Sequence, residues 1–353
     1  MRILVVTDAW LPQVNGVVRT LGTLRTELEG MGHETVFVTP DQFRSLPCPT
    51  YPEIRLAVKP GRKLAKTIEA NQPCAIHIAT EGPLGWAARR YCLKRRVPFT
   101  TAYHTKFPEY IQARFRVPLG LSYRVMRRFH GPSSSIMVAT QTIQSELEDR
   151  GFQRIRRWSR GVDTTLFRPR PAEEIAALAP AMAALPKPIF LYVGRVAVEK
   201  NIAAFLAADL PGSKVVVGDG PQLDDLRRKH PDTLFVGAKQ GEELAAHYSA
   251  ASVFVFPSRT DTFGLVLLEA LASGLPVAAY PVPGPLDVVG GSPAGVLSDD
   301  LAAAAVAALT IPPEVCRAHA LAFSWRACTE QFLSNLQPFD PHVLEGSGIG
   351  DAA

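Results

Sequence analysis

The chain has 353 residues, of which 47% are hydrophobic, 20% charged and 8% aromatic. These are ordinary globular proportions, which exclude a chain disordered along its whole length and favour about two domains. No apolar run approaches the roughly 18 residues that span a bilayer, and no signal peptide is recognisable, so we expect a cytoplasmic protein.

The charge is distributed unevenly along the chain. Residues 1–180 hold 27 Lys and Arg against 15 Asp and Glu, a net charge of +12, whereas residues 181–353 hold 11 against 18, a net charge of −7. Basic residues of the first half interleave with aromatic and apolar ones, as in residues 89–96 and 124–128. Such helices suit an anionic membrane surface, although solvated helix faces show the same local pattern. We predict peripheral association with the inner face of a membrane and no nucleic-acid partner.

Hydrophobic periodicity in the first half predicts alternating strands and helices. Residues 2–7 are predicted to form a strand, and residues 17–31 an amphipathic helix. Further strands are predicted at residues 35–39, 75–79, 98–102 and 135–139. This alternation is typical of a parallel sheet covered on both faces.

The same alternation starts again after a stretch rich in Pro and Ala. Strands are predicted at residues 189–193, 214–217, 233–236 and 253–256, with helices between them. The predicted fold class is α/β with two doubly wound domains, which bind ligands at the carboxyl ends of their strands. The predicted boundaries are a first domain at residues 1–170, a linker at 171–188, a second domain at 189–323, a helix at 324–336 and a disordered tail at 337–353.

Residues 257–277 carry the most informative pattern. Asp261 and Glu269 stand on either side of the Phe263-Gly264 step, where a strand ends and an apolar helix begins. Unpaired N–H groups at a helix start favour phosphate or hydroxyl oxygens, and a carboxylate accepts hydrogen bonds from a diol. A helix cap at Asp261 and a solvated Glu269 are the alternatives. The helix around Glu269 is apolar almost all round, so we expect this acid to be buried and to need a partner.

Two other loops of the second half contain a basic pair and a glycine pair. Arg195 follows Gly194 at a strand end, and Lys200 lies five residues further on. The two cations can clamp a diphosphate, or they can be solvated charges. Gly194 favours the diphosphate site, because a closely approaching ligand leaves no room for a side chain. Gly218 and Gly220 follow the next strand, and a Gly-x-Gly pair alone is a weak sign of nucleotide binding. The third glycine of the dinucleotide-binding motif is missing, which disfavours a dehydrogenase.

Two candidates lie in the first half. Gly16 ends the first strand-to-helix loop, although Asn15-Gly16 is also a common tight-turn pair. His104 follows a predicted strand at its carboxyl end, where a lone histidine is more often structural than catalytic.

Together these motifs resemble the signature of the retaining nucleotide-sugar glycosyltransferases of GT-B fold, in which two glutamates bracket a Phe-Gly step. Asp261 departs from that pattern by one methylene. The resemblance implies that Glu269 binds the donor ribose and that Asp261 holds a hydroxyl of the donor sugar. The backbone of Phe263 and Gly264 would lie against that sugar, with Leu265 among the donor-binding residues.

The same resemblance implies roles for the other candidates. Arg195 and Lys200 match the pair that stabilises the diphosphate, and His104 matches a histidine that touches the donor sugar. Donor-binding glycines would be Gly16, Gly194, Gly218 and Gly220. The fold it implies has two Rossmann-like domains facing a cleft, with a last helix that crosses back to the first domain.

The activity implied is a retaining, metal-independent hexosyl transfer from a nucleotide-diphosphate sugar, with a UDP-sugar favoured. The chain has no Asp-x-Asp and no Cys-x-x-Cys, so no metal or other cofactor is expected. The motifs are most similar to those of bacterial and plastid lipid glycosyltransferases, which with the basic first half predicts a membrane lipid acceptor such as diacylglycerol. Open alternatives are a GDP-mannose-dependent mannosyltransferase acting on a lipid carrier or polysaccharide, a nucleotide-sugar 2-epimerase and a non-catalytic nucleotide-binding protein.

Overall fold

The computed structural model describes residues 1–13, 15–48 and 51–344. The chain divides into two compact units, one formed by Met1–Ser159 with the segment from Cys328 onward, the other by Arg160–Ala327. Each unit is built on a six-stranded parallel sheet, which confirms the predicted α/β fold class. Among the described residues, no single helix has the length and apolar composition needed to cross a bilayer.

The Met1–Ser159 part of the first unit contains eight strands and six α-helices within its described residues. The strands are β1 (Arg2–Val6), β2 (Glu34–Val38), β3 (Ser45–Cys48), β4 (Tyr51–Ala57), β5 (Ala75–Ile78), β6 (Thr100–Tyr103), β7 (Ser135–Val138) and β8 (Ile155–Arg157). The helices are α1 (Gly16–Gly30), α2 (Gly61–Asn71), α3 (Pro83–Arg95), α4 (Phe107–Phe115), α5 (Leu119–His130) and α6 (Gln141–Asp149). The sheet order is β2-β1-β5-β6-β7-β8, and buried aliphatic residues of β1 and β5 form the centre of its core.

A two-stranded hairpin stands outside this sheet and was not predicted. Strands β3 and β4 pair antiparallel, with Ser45 opposite Ala57 and Leu46 opposite Leu56. A 3₁₀ turn, Pro40–Gln42, connects β2 to the hairpin. The hairpin is short and contains Pro47, a residue that cannot donate to a strand ladder, so hydrophobic alternation gave no signal for it.

The second unit repeats the doubly wound plan. Its strands are β9 (Ile189–Val193), β10 (Ser213–Val217), β11 (Leu234–Gly237), β12 (Val253–Phe256), β13 (Val277–Ala279) and β14 (Gly295–Leu297). Its helices are α7 (Ala172–Leu178), α8 (Pro180–Ala183), α9 (Ile202–Ala207), α10 (Leu223–Lys229), α11 (Gly241–Ala250), α12 (Leu265–Ala272), α13 (Pro285–Val288), α14 (Leu301–Ala308) and α15 (Pro313–Ala320). The sheet order is β11-β10-β9-β12-β13-β14.

The order of strands reverses once in each sheet. In the first sheet the chain runs outward from β1 to β2 and then returns to β5 on the other side of β1. In the second it runs from β9 through β10 to β11 and returns to β12 beside β9. The loops that leave the two central strands diverge at such a point and leave a crevice at the carboxyl edge of the sheet. Ligand-binding residues are therefore expected after β1 and β5, and after β9 and β12.

The boundary between the units lies earlier than predicted. Residues 160–170 belong to the second unit, where the Val162 N–H donates to the Phe323 carbonyl and Arg317 donates to the carbonyls of Thr164 and Phe167. The predicted linker, residues 171–188, is largely helical and forms α7 and α8, with Met182 fully buried. Both helices were predicted to be a linker because the segment is rich in proline. The prolines stand at the helix starts, and proline is favoured in a first helical turn.

The last helix, α16 (Trp325–Asn335), returns the chain to the first unit as expected. Its Asn335 side chain donates to the Arg157 carbonyl, and Phe332 packs edge-on against His77. The segment after it was predicted to be disordered, which is wrong for residues 337–344: the Phe339 N–H donates to the Cys74 carbonyl, and Leu344 is buried in the first core. Residues 345–353 lie outside the described residues.

Replacement of Leu344 tests whether this returning segment stabilises the first unit. Leu344→Ala should lower the free energy of unfolding by about 2–4 kcal/mol because it leaves a cavity in the core. Val343 is half exposed, so Val343→Ala is the matched control and should change stability by less than about 0.5 kcal/mol. Urea unfolding followed by circular dichroism measures both, and equal effects would show that the segment does not contribute to the core.

Candidate functional site

The reversal point of the second sheet brings together two of the predicted site residues. Lys200 ends a 3₁₀ turn, Val198–Lys200, in the loop after β9, and Asp261 lies in the loop after β12. The Lys200 Nζ donates to the Asp261 Oδ1 at 2.5 Å, and both side chains are about one-fifth exposed. The cation assigned to the donor diphosphate and the acid assigned to the donor sugar are therefore in direct contact.

Two further hydrogen bonds join the same pair of loops. Asn201 has a left-handed backbone conformation, and its side-chain Nδ2 donates to the Pro257 carbonyl at 3.1 Å. Thr260 donates through its hydroxyl to the Glu199 carbonyl at 3.2 Å. With these bonds on either side of it, the Lys200–Asp261 pair is held by backbone on both loops and does not depend on two freely rotating side chains.

The second oxygen of Asp261 is placed differently from the first. Asp261 Oδ2 is buried and makes no hydrogen bond to the described residues. A buried carboxylate oxygen without a donor is costly, and a ligand hydroxyl would satisfy it. Asp261 can thus hold a hydroxyl with one oxygen while Lys200 balances its charge at the other.

The glycines near Arg195 pack two loops of the protein together. A Cβ on Gly194 would lie 2.7 Å from the Tyr192 hydroxyl, which itself donates to the Arg195 carbonyl at 2.9 Å. A Cβ on Gly218 would lie 1.8 Å from the Gly194 carbonyl oxygen, and one on Gly220 would lie 2.4 Å from the backbone of the β9 loop. These neighbours give a structural reason for glycine at all three positions, including Gly194, where the sequence analysis gave a ligand's close approach as the reason.

Helix α12 begins at the predicted Phe-Gly step. Gly264 is its N-cap and has φ 84°, a left-handed value that favours glycine. The Phe263 side chain is buried, so only its backbone is available to a ligand, and Leu265 opens the helix. The loop at Gly284 lies close behind, since a Cβ there would be 2.9 Å from the Phe263 carbonyl oxygen.

Glu269 is buried within α12, as its apolar surroundings predicted. Its side chain is 3% exposed, and its Oε2 accepts a hydrogen bond from the Tyr248 hydroxyl at 2.9 Å. The expectation that this acid needs a partner is confirmed, and one partner is a tyrosine of α11. The sequence offered no signal for Tyr248, because the contact joins two helices separated by strand β12.

The reversal point of the first sheet holds an acid that the sequence analysis did not single out. Asp8 follows β1, is 7% exposed, and accepts hydrogen bonds from the Leu84 and Gly85 N–H groups at 2.9 and 3.2 Å. Thr80 donates to it at 3.1 Å. Burial raises the pKa of Asp8 to about 6, although these hydrogen bonds act in the opposite direction. A carboxylate directly after an apolar strand was the signal that could have identified it.

Next to Asp8 a second buried pair links the sheet edge to α5. His130 is fully buried, and its Nε2 lies 3.2 Å from Glu81 Oε1, while its Nδ1 lies 2.9 Å from the Thr101 hydroxyl. Glu81 follows β5, as Asp8 follows β1. The carboxyl edge of the first sheet thus carries two acids, of which one is tied to the N-terminus of α3 and the other to the C-terminus of α5.

Gly16 and His104 belong to the first unit, whereas Lys200 and Asp261 belong to the second. Asn15 is the N-cap of α1, with its Oδ1 accepting from the N–H groups of Val17 and Val18 at 3.0 Å, and Gly16 is the first residue of that helix. His104 follows β6, with its ring edge-on to Trp158 at 5.5 Å between centroids. Among the described residues there is no group of three or more potential metal ligands.

Two protein-family models match the chain. "Glycosyltransferase Family 4" matches residues 14–166, and "Glycosyl transferases group 1" matches residues 187–311. The chain is 30% identical over 311 residues to a GDP-mannose-dependent alpha-mannosyltransferase of Mycobacterium tuberculosis, which covers 82% of this chain and 81% of that protein. It is 31% identical over 284 residues to sulfoquinovosyl transferase SQD2 of Arabidopsis thaliana, covering 74% of this chain and 56% of that longer protein. Alpha-monoglucosyldiacylglycerol synthase of Streptococcus pneumoniae is 29% identical over 358 residues, covering 89% of this chain and 80% of that protein.

Solved structures of low sequence identity share the fold. Sucrose-phosphate synthase from Thermosynechococcus elongatus superimposes with a TM-score of 0.75 at 22% identity, covering 94% of this chain and 97% of that one. Anabaena HepE in complex with UDP-glucose gives a TM-score of 0.71 at 15% identity, covering 95% of this chain and 98% of that one. The GT-B architecture implied by the motifs is therefore confirmed.

Asp8 gives the stability of the protein a defined pH dependence. Its folded pKa of about 6 exceeds the ordinary value of 3.8, so its protonated form favours the folded state, and that stabilisation is lost as the pH rises through about 6. The free energy of unfolding of the wild type, minus that of Asp8→Asn, should fall by about 2 kcal/mol between pH 4 and pH 7. Urea unfolding at a series of pH values measures this difference. Asp149→Asn, at an exposed position, is the control, and a pH-independent difference for Asp8→Asn would contradict the prediction.

Proposed function

Because this chain belongs to the group 1 glycosyltransferases, we propose that it transfers a hexose from a nucleotide-diphosphate sugar to a membrane lipid such as diacylglycerol. The observation that supports binding of the nucleotide-sugar donor is the Lys200–Asp261 pair at the reversal point of the second sheet. A UDP-sugar is the favoured donor, in keeping with the UDP-glucose held by the HepE neighbour.

The charges of the donor site suit departure of a nucleotide diphosphate. Arg195 and Lys200 both lie in the loop after β9, and positive charge placed where a phosphate leaves stabilises the transition state. Asp261 would orient the sugar through its buried Oδ2, and Glu269 would meet the ribose from α12. Gly194, Gly218 and Gly220 would shape the loops beneath the nucleotide, and His104 and Gly16 would approach the donor from the first unit.

The proposed reaction retains the configuration of the sugar. The acceptor hydroxyl oxygen forms the new bond to the anomeric carbon on the face from which the phosphate leaves, and its proton passes to the leaving phosphate oxygen. Arg195 and Lys200 supply the electrostatic stabilisation in this scheme, which proceeds without a metal ion or another cofactor.

A lipid acceptor is supported by the relatives and by one helix face. Two relatives, sulfoquinovosyl transferase SQD2 and alpha-monoglucosyldiacylglycerol synthase, are of the lipid glycosyltransferase type that the motifs resemble. On α5, Leu121, Arg124, Val125 and Arg128 are exposed and recur at helical spacing, whereas Met126 and Phe129 are buried. A face that joins exposed aliphatic side chains to arginines suits peripheral binding to the inner, anionic face of a membrane.

A second candidate is supported by the mannosyltransferase relative. That protein is named for GDP-mannose and is matched over 81% of its length, more than SQD2. The donor could then be GDP-mannose, with a lipid carrier or polysaccharide as the acceptor. The same Lys200–Asp261 site would serve, because in this proposal it would contact the diphosphate and the sugar and not the base.

The donor and the acceptor can be tested in one experiment. Labelled UDP-glucose, UDP-glucuronate and GDP-mannose are offered separately with liposomes of diacylglycerol and an anionic lipid, and label in the organic phase is measured. We expect transfer from a UDP-sugar, with the anomeric configuration retained in the product and turnover unaffected by EDTA. Lys200→Met should lower kcat by at least about 100-fold because the leaving diphosphate loses its cation.

Lys229→Met is the matched control. Lys229 also pairs with an aspartate, Asp225, at 2.7 Å, but on an exposed helix face, so this variant should keep full turnover. Label from GDP-mannose would favour the second candidate. Nucleotide release without lipid label would point to a soluble acceptor or an epimerase, and nucleotide binding without turnover would overturn the enzymatic proposal.

The membrane face of α5 is tested by charge reversal. Arg124→Glu with Arg128→Glu should reduce cosedimentation with anionic vesicles at least about tenfold, since each arginine near the surface contributes about 1 kcal/mol. Arg227→Glu with Arg228→Glu makes the same charge change on exposed positions of α10 and should leave vesicle binding nearly unchanged. Vesicle binding that persists at high salt and is unchanged in both double variants would contradict an electrostatic docking face on α5.

A further inference from the structure

The first unit contains a cavity that the donor site does not use. Its volume is about 410 Å³, which lies within the range of small-molecule sites. The walls come from three segments of that unit, namely the loop after β1, the 3₁₀ turn after β2 and the β3–β4 hairpin. The cavity therefore adjoins the loop that leads into α1, at the edge of the sheet where Asp8 lies.

One side of the cavity is hydrocarbon, and its tryptophan is packed from behind. It is formed by Trp10, Leu11, Pro12 and Pro40. The Trp10 ring packs on the Phe37 ring with centroids 5.1 Å apart, so its position is held from behind. Leu11 is 65% exposed, which leaves a large aliphatic side chain in water beside the cavity. An apolar ligand that covered this wall would remove that surface from water, which is favourable.

The polar side of the cavity is formed by Gln13, Asp41, Ser45 and Arg55, and the Gln13 and Arg55 side chains are engaged within the protein. Arg55 donates to the Ser45 hydroxyl at 3.2 Å and to the Ser45 carbonyl at 2.9 Å, which holds its charge at the rim. Gln13 is 5% exposed, donates to the Asp8 carbonyl at 3.2 Å, and accepts from Asn15 at 3.2 Å. The Gln13 amide is thus occupied in holding the loop, and together with the hydrocarbon wall this favours an aliphatic ligand over a sugar.

We propose that this cavity binds one aliphatic chain of the lipid acceptor, with the chain along Trp10 and Leu11 and the ester oxygens towards Arg55. The inference rests on the proposed function, since it names the part of a lipid acceptor that this unit would hold. Gln13 lies three positions before Gly16, the first residue of α1, so a chain bound here lies beside the loop at the carboxyl edge of the first sheet.

Contact quenching of tryptophan fluorescence tests the cavity without any donor. A brominated probe, 1-(9,10-dibromostearoyl)glycerol, is titrated into the full-length protein, with the unbrominated compound as reference. We expect quenching in the wild type that is largely lost in Trp10→Phe, because Trp86, Trp158 and Trp325 lie outside the cavity. Leu11→Asn, at a position that is 65% exposed, should weaken the apparent affinity about tenfold. Leu321→Asn, also at an exposed leucine but in the second unit, is the matched control and should bind as the wild type does.

The outcomes separate this inference from the proposed function. Equal quenching in the wild type and Trp10→Phe, or no quenching at saturation, would overturn the cavity as a chain site. A transfer assay that compares dihexanoyl- with dioleoylglycerol should show a raised KM of Leu11→Asn for the long-chain acceptor and an unchanged KM for the short-chain one. Equal effects on both acceptors would also overturn it. Quenching at Trp10 in a protein that glycosylates no lipid would support the cavity while the proposed function fails.

Discussion

The reversal of strand order in each parallel sheet is the constraint on which the candidate sites depend. Because β9 and β12 are neighbours, the loops that leave them meet, and Lys200 contacts Asp261 across 61 residues of sequence. The same reversal between β1 and β5 places Asp8 against Thr80 and the start of α3. Parallel strands end at a common edge, so polar residues that follow separate strands are gathered there without any local motif.

Buried polar groups give these sites their rigidity. Glu269 is tied to Tyr248, Asp8 to two backbone N–H groups, and His130 to both Glu81 and Thr101. Each group would be costly to bury alone, so the partners are part of the same structural unit as the site. Asp261 Oδ2 differs from them, since it makes no hydrogen bond to any described residue. That difference supports the proposal that Asp261 binds a hydroxyl of the donor, because a ligand hydroxyl would satisfy the buried oxygen.

Most of the architecture could be predicted because alternation of strands and helices is a local property of the sequence. The central strands and α1 lie within a residue or two of their predicted positions. The β3–β4 hairpin was missed because Pro47 interrupts its strand pattern, and α7 and α8 were taken for a linker because their prolines stand where helices begin. The tail was assigned as disordered from composition, although Leu344 finds a place in the core of the first unit. In each case a tertiary contact outweighed a weak local signal.

The sequence by itself determined the α/β class, the two doubly wound units and the position of Asp261 and Glu269 around a Phe-Gly step, because these follow from spacing within short segments. Only the tertiary structure decided the partners. It paired Lys200 with Asp261 and Tyr248 with Glu269, assigned Gly194, Gly218 and Gly220 to loop packing, and revealed the Asp8 site and the cavity at Trp10. These features depend on contacts between segments far apart in the chain, which are set by strand order and burial and leave no periodic trace in the sequence.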